Sequence, residues 1–364
     1  MVIDKLQITH IRNLDETTLY PSPSLNFIVG SNGSGKSSLI EAISLITSAR
    51  SFRTKQNSKI VNSLHSSFTI FAKINSGLSH YNVGLHRDQK ENFYQIRINQ
   101  EAIHKSSILA SYFPQLTISP EQCDLIDGSP ERRRSVIDLS LFHVKHDYHY
   151  LLSKYRKTLL QRNILLKKRD ISQLDHWDSV LCKYAEKIDE HRKQLFKEIL
   201  NILRGNISDK FRSNLDFGNI EISYSSGWKK GETLNNALIK SRNIDIERGF
   251  THNGPHRADF NITIEGNLAR EYLSRGEKKL LQILFTVAQL IHFRDKIEID
   301  PIILMDDIFA ELDQQNIKLL FGLVRELGLQ LFVTATDLID INQYIEEGEK
   351  LFHVKQGSLT EVVQ

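Results

Sequence analysis

The chain has 364 residues, 40% of them hydrophobic and 25% charged, an ordinary globular balance with room for two domains or one domain carrying a large insertion. Its formal net charge of +3 is weakly basic and neither demands nor excludes a nucleic-acid partner, so local patches must decide. Two distant cysteines, Cys123 and Cys182, argue against a disulfide scaffold or a cysteine zinc site and for a reducing compartment. The amino terminus lacks a long apolar core, and no apolar run approaches ~18 residues, so neither a signal peptide nor a membrane span is expected. A cytoplasmic location follows as the expectation.

Residues 2–9 read as a first strand, followed by a corner at Ile11-Arg12-Asn13-Leu14. The apolar run 25–29 reads as a strand and residues 38 to about 48 as a helix, with a basic loop at 50–55. Period-two alternation at 68–74, 81–85 and 93–98, with turns at 75–77 and 99–100, predicts a meander. After about residue 120 the character changes. A long helical pattern starts at Pro130 and is broken by 170–175, where Asp175 is placed to cap a second helix running to about Gly205. The two helices are expected to form a short antiparallel hairpin, with Tyr148, Tyr155, Trp177 and Tyr184 in the helix–helix core. A short strand at 220–224 and a helix at 233–248 follow. The α/β character then returns: strand 260–264, helix 277–292, buried strand 302–305, helix 313–326, buried strand 329–334 and a hairpin over 351–363 turning at Gln356-Gly357.

Strand 25–29 opens directly onto Gly30-Ser31-Asn32-Gly33-Ser34-Gly35-Lys36-Ser37, which has the spacing G-x-x-x-x-G-K-S. This is the P-loop pattern in its required strand–loop–helix context. Glycines let the backbone curl until successive N–H groups face phosphate oxygens, and the helix start adds its positive dipole end. Lys36 is expected on the β- and γ-phosphates of ATP, and the Ser37 hydroxyl on Mg²⁺.

Four apolar residues ending in acid, Ile302-Ile303-Leu304-Met305-Asp306-Asp307, describe a Walker B strand. Asp306 would hold Mg²⁺. Asp307 would orient the attacking water as general base, or would cap the next turn. Upstream, Leu273-Ser274-Arg275-Gly276-Glu277 opens a helix and resembles the L-S-G-G-Q signature of ABC-type ATPases. There Ser274 and Gly276 would form a second phosphate cradle, although Ser274 and Glu277 also fit a capping box. Ala310-Glu311-Leu312-Asp313 resembles the D-loop, with Asp313 at the helix start. Val333-Thr334-Ala335-Thr336-Asp337 stands at a strand end where transporter motors carry a histidine. Its absence argues against a transporter, and Thr334 or Thr336 would supply only a hydrogen bond.

Taken together, these motifs resemble the RecF family of bacterial recombinational repair, ABC-type ATPases with SMC-like heads. Further matches run over nearly the whole chain: Ile11-Arg12-Asn13, Arg50-Ser51-Phe52-Arg53-Thr54, Ser119-Pro120-Glu121, Gly128-Ser129-Pro130-Glu131-Arg132-Arg133-Arg134 and Thr251-His252-Asn253-Gly254-Pro255-His256-Arg257-Ala258-Asp259. Leu14 replaces an aromatic, and Arg275 and Glu277 depart from the usual signature. The resemblance implies an α/β fold. It is a split ABC-ATPase-like P-loop domain, β-sheets with flanking helices, interrupted by a mostly helical second domain. The halves are expected at 1–114 and 261–364, with the insertion at 115–260. It also implies an ATP-dependent DNA-binding protein acting at single-strand gaps, ss/dsDNA junctions or duplex DNA, in recombinational repair and the SOS response. Its ATPase would be weak and DNA-stimulated, its homodimer would form on ATP, and its partners would be RecR and RecO. The alternatives are an SMC-like scaffold with structural ATP, or a P-loop kinase.

The basic runs Arg132-Arg133-Arg134, Lys154-Tyr155-Arg156-Lys157, Arg162 and Lys167-Lys168-Arg169 read equally as a DNA surface or a solvated helix face. The resemblance favours DNA, read through backbone and shape, since no base-reading motif is present. His143, His146 and His149 step by three around a helix and do not converge on one ion.

Overall fold

The alternating amino-terminal segments and the apolar 25–29 run divide between two sheets. The structure is a computed structural model that describes residues 1–362 apart from 55, 57, 58, 92, 119–124, 146, 208–218, 298, 311 and 337–340. In chain order come β1 (Val2–Ile11), β2 (Leu14–Leu19), β3 (Leu25–Val29), α1 (Lys36–Ser48), β4 (Ser67–Ser76), β5 (Ser79–Asp88), β6 (Phe93–Ile98), β7 (Glu101–Ile103), α2 (Ser106–Tyr112) and β8 (Gln115–Ile118). Then follow α3 (Pro130–Val144), α4 (Tyr148–Lys168), α5 (Leu174–Ile202), β9 (Ile220–Ser225), α6 (Leu234–Arg248), β10 (Asp259–Ile264), β11 (Asn267–Leu268), α7 (Ala269–Tyr272) and α8 (Arg275–Lys296). The chain closes with β12 (Ile302–Met305), α9 (Gln314–Leu327), β13 (Leu331–Ala335), β14 (Lys350–Lys355) and β15 (Ser358–Val362).

Two compact units result: Met1–Cys123 with Arg294–Gln364, and Asp124–Phe293. The first holds two six-stranded sheets. One runs β2-β1-β4-β5-β6-β7, antiparallel throughout. The other runs β15-β14-β3-β13-β12-β8 and is parallel from β14 to β8. Central parallel strands are covered on both faces, and β3, β12 and β13 are accordingly buried along their whole length. Helix α1 shares one core with both sheets, packing Leu39, Ile43 and Ile46 with Leu6 and Ile70 from one and Ile28 and Phe332 from the other. A helix buried on all sides must satisfy its polar residues internally. Thr47 donates to Gln115 Oε1 at 2.8 Å, and Glu41 accepts a two-pronged pair from Arg12 at 2.9 and 3.0 Å.

The second unit is built on α4 and α5, a helical hairpin across residues 169–173, with α6 packed on both and a small sheet β11-β10-β9. Its polar core is unusually charged. Fully buried Arg162 on α4 pairs with Asp178 of α5 at 2.5 Å and Asp245 of α6 at 2.8 Å. Buried Arg192 of α5 pairs with Asp138 of α3 at 2.8 Å.

Several expectations change. The unit boundaries fall at 123/124 and 293/294 rather than near 114 and 260. Strand β8 hydrogen-bonds in parallel to β12 and so stays with the first unit. Strand β10 pairs with β9, and the side chains of α8 bond back to α3 and α5 through Gln289–Ser140 and His292–Glu198, so residues 261–293 stay with the second. The single helix expected from Pro130 is two, because the chain leaves helical geometry at Lys145. Asp175 is not the cap of α5: Gln173 stands there without a side-chain bond, and Asp175 pairs with Arg242 at 2.5 Å. Tyr148 and Tyr155 are core, whereas Trp177 and Tyr184 are half-buried. The corner at residues 12–13 leads straight into β2, a strand absent from the sequence reading.

Candidate functional site

The P-loop joins β3 to α1 where the sequence places it. Gly33 and Gly35 have φ of 80° and 123°, backbone that L side chains rarely adopt. A Cβ at Gly30 would lie 2.3 Å from the Val354 carbonyl oxygen of β14. Helix α1 starts with no side-chain cap and no acid in its first turn, leaving the helix-start N–H groups for an anion. Lys36 Nζ donates to the carbonyl oxygens of Gly30 and Ser31 at 2.8 and 3.0 Å. Burial lowers its pKa, opposed by the charges of Asp307 and Asp306.

Two distant residues hold this loop from outside. Asn13, in the β1–β2 turn, donates through Nδ2 to Gly33 O at 2.9 Å and accepts from Ser38 Oγ at 3.0 Å. The β14–β15 turn reaches the loop as well, where Gly357 N–H donates to Ser34 O at 2.9 Å. A Cβ at Gly357 would fall 2.0 Å from Asn13 O, so the two braces also meet each other. Asn13 was legible only through the family resemblance, and Gly357 only as a turn residue.

The Walker B carboxylate meets the P-loop serine. Asp306 Oδ1 accepts from Ser37 Oγ at 3.0 Å and from buried Thr334 Oγ1 at 2.7 Å. Burial raises the Asp306 pKa, the two hydroxyl bonds oppose that, and so does the charge of Arg53. A buried carboxylate beside a serine hydroxyl is a hard-oxygen donor set suited to Mg²⁺, and a cation there offsets the cost of burying the charge. Asp307 has φ 53° and its N–H donates to Thr334 Oγ1 at 2.8 Å. Its backbone carbonyl, rather than its carboxylate, closes the following turn on Ala310 N–H at 3.2 Å. From the neighbouring strand Thr334 thus holds the Asp306 carboxylate and the Asp307 backbone by hydrogen bonds. Asp337 and Glu311 lie outside the described residues, as do Ser119, Pro120, Glu121 and His146. Arg53 sits in the loop after α1, which Ser51 anchors by donating to Glu41.

In the second unit, Ser274 and Glu277 form a reciprocal capping box. The Ser274 N–H donates to Glu277 Oε2 at 2.8 Å, and the Glu277 N–H to Ser274 Oγ at 3.4 Å. Ser274, Arg275 and Gly276 are exposed, and a Cβ at Gly276 would meet nothing within 4 Å. In the first unit Asp313 is exposed and caps α9, accepting from Asn316 N at 2.8 Å and Nδ2 at 2.7 Å.

Among the basic residues, Arg133 and Arg162 leave the expected DNA surface, and Arg134 is partly drawn in. Arg133 is buried and clasps Asp259 at 2.7 and 2.8 Å. Half-buried Arg134 donates to Ala258 O at 2.7 Å. Arg162 is consumed by Asp178 and Asp245. A guanidinium committed to buried carboxylates cannot also meet phosphate without a large desolvation and unpairing cost. Arg132, Lys154, Arg156, Lys157, Lys167, Lys168 and Arg169 are exposed. His143 packs its ring on Phe142 and Phe293, and burial pushes its pKa down to about 4.

The parallel sheet, the P-loop and the paired acids at the end of β12 define a P-loop nucleotide domain of the ABC and SMC head class, interrupted by a helical unit. Residues 2–360 match the family model described as RecF/RecN/SMC N terminal domain. The DNA replication and repair protein RecF of Hahella chejuensis is 34% identical over 375 residues, 100% of both chains. That of Teredinibacter turnerae is 34% identical over 361 residues, 98% of this chain and 95% of its own. The solved recombination mediator protein RecF-ATP of the RecFOR pathway is 27% identical with a TM-score of 0.86, over 99% of this chain and 97% of that one. An SMC head bound to the C-winged helix domain of ScpA shares the fold, with a TM-score of 0.55 at 16% identity over 100% and 97% of the two chains. The chain belongs to the RecF family.

Proposed function

We propose that this protein is an ATP-dependent DNA-binding switch of replication and repair. The observation that carries the reading is the Ser37–Asp306 contact at 3.0 Å, in which a P-loop hydroxyl and a Walker B carboxylate stand side by side; this supports a shared metal position. ATP binds on Gly30-Ser31-Asn32-Gly33-Ser34-Gly35-Lys36, and Ser37 with Asp306 holds Mg²⁺, which neutralises phosphate charge when bound. Lys36 leaves its loop carbonyls for the phosphate oxygens. Asp307, set beside Asp306 by Thr334, takes the proton of the attacking water.

Ser274 and Gly276 of one copy complete the phosphate site of another, with Asp313 at the same interface, giving a symmetric dimer with two nucleotides. The closed dimer gains contacts the open form lacks, so ATP shifts the population toward it and slow hydrolysis releases it. The dimer acts at single-strand gaps or ss/dsDNA junctions in recombinational repair and the SOS response, with RecR and RecO as partners. Its solved relative is described as a mediator of the RecFOR pathway, which supports that placement. The protein acts in the cytoplasm; among the described residues no helix is long and apolar enough to cross a membrane.

Fluorescence anisotropy with gapped and continuous duplexes, with and without Mg²⁺-ATP, tests the reading across a salt series. Tighter binding with ATP, strongest on gapped DNA, is expected. Equal binding in both nucleotide states would leave the scaffold alternative, in which ATP is structural.

A further inference from the structure

The segment 250–259 is held by more buried charge than its length requires. Thr251 accepts from Arg162 at 2.9 Å, and its N–H donates to Asn163 Oδ1, also at 2.9 Å. His252 packs Nδ1 on buried Asp245 at 2.7 Å. Arg192 donates to Pro255 O at 2.8 Å, and Tyr155 Oη lies 2.6 Å from His256 Nδ1. Gly254, at φ 141°, has no room for a side chain, since a Cβ would lie 2.6 Å from that same Tyr155 oxygen. Arg133 and Arg134 fix the far end at Asp259 and Ala258.

What this frame presents outward is cationic. Arg257 is exposed, with its guanidinium 5.5 Å from the Phe250 ring centre. Phe250 in turn lies 4.3 Å from the His252 ring, and exposed Arg248 reaches His252 Nε2 at 3.4 Å. Gly249 seats the stem of Lys167, whose Cγ would be 3.1 Å from a Cβ there. Lys167 therefore joins Arg248 and Arg257 around one corner, with Lys168 at the end of α4 and Arg169 just after it. The acid inside the corner, Asp245, is consumed by Arg162 and His252. Asp170, beside Arg169, accepts from Ser172 in its own turn.

We propose that the corner of Lys167, Arg248, Phe250 and Arg257 is a phosphate-binding surface that grips the sugar–phosphate backbone of duplex DNA. The inference rests on the DNA-binding function proposed above and relocates the contact from Arg133 and Arg134 to the rim of the frame they support. A guanidinium held over a ring loses less freedom on meeting a phosphate and presents its fork in a set orientation. Phe250 is covered by Arg257 on one side and packs on His252, so it is no platform for an unstacked base; this favours duplex over single strand. Cations without base-reading neighbours position a duplex and do not read it.

The test is a salt series of anisotropy titrations with a labelled duplex and a labelled single strand of the same sequence, in Mg²⁺-ATP. Wild type, Arg257→Ala, Arg257→Lys, Arg248→Ala and, as an exposed control in the other unit, Lys73→Ala are compared. Each lost phosphate contact removes about one ion from the salt slope, which near 0.1 M salt is about tenfold in affinity. Arg257→Ala and Arg248→Ala are expected to lose that much on duplex DNA while ATP affinity and Lys73→Ala stay at wild type. Arg257→Lys is expected to fall between. Wild-type slope and affinity in both alanine variants would overturn the surface and leave the function standing. A loss confined to single strands would overturn it in favour of base stacking. Wild-type protein that binds neither probe would overturn the proposed function, and the surface with it.

Discussion

Asp306 and Ser37 stand 269 positions apart and end 3.0 Å apart, and each was readable from its own neighbourhood. P-loop and Walker B chemistry depends on a local strand–turn geometry, so a short sequence window carries it. The braces do not work that way. Asn13 and Gly357 act through single hydrogen bonds onto the loop's carbonyls, and no local pattern announces which distant turn will arrive there. Gly357→Ala would put a Cβ into the Asn13 carbonyl and displace the turn from Ser34. Losing a hydrogen bond of ~1 kcal/mol corresponds to roughly fivefold weaker nucleotide binding, readable with a fluorescent ATP analogue. Lys36→Ala is expected to abolish that binding. Asp307→Asn should bind ATP and persist as a nucleotide-loaded dimer with turnover lost; unchanged phosphate release would remove Asp307 from the base role.

At the scale of elements, periodicity placed most strands and helices because their apolar positions are spaced for one buried face. It failed where tertiary contacts decide. Helices α3 and α4 carry one continuous helical pattern, yet the chain leaves helical geometry at Lys145, and Tyr148 donates to Asp138, which also accepts from Arg192. The basic runs misled for a related reason. Charge is visible in sequence, but whether an arginine faces water or a buried aspartate is not. Arg162→Ala would remove the cation shared by Asp178 and Asp245, at 2% and 0% side-chain exposure, leaving Asp178 to Arg242 and Asp245 to His252. Breaking a buried pair in this way costs about 3–5 kcal/mol, measurable by urea denaturation. Acid acts on the same unit. Burial lowers the pKa of His143 and of His256 from 6.5 to about 4. Both are neutral in the fold but protonated when unfolded between those values, so the unfolded chain binds more protons and stability falls as pH drops through that window. Denaturation midpoints at pH 7 and pH 5 should differ in that direction.

For the whole molecule, the resemblance to RecF proteins conveyed more than periodicity could, because a split domain is invisible until its two halves are recognised as one sheet. It did not place the boundaries: β8 hydrogen-bonds to β12, and β10 to β9, across spans of sequence that no window covers. The central claim is that ATP on one copy is completed by Ser274 and Gly276 of another. Sedimentation velocity at micromolar protein, with and without Mg²⁺-ATP, tests this most directly. A shift from monomer to dimer on adding ATP, lost in Lys36→Ala, is the predicted result. A chain that binds ATP and remains monomeric would contradict the account.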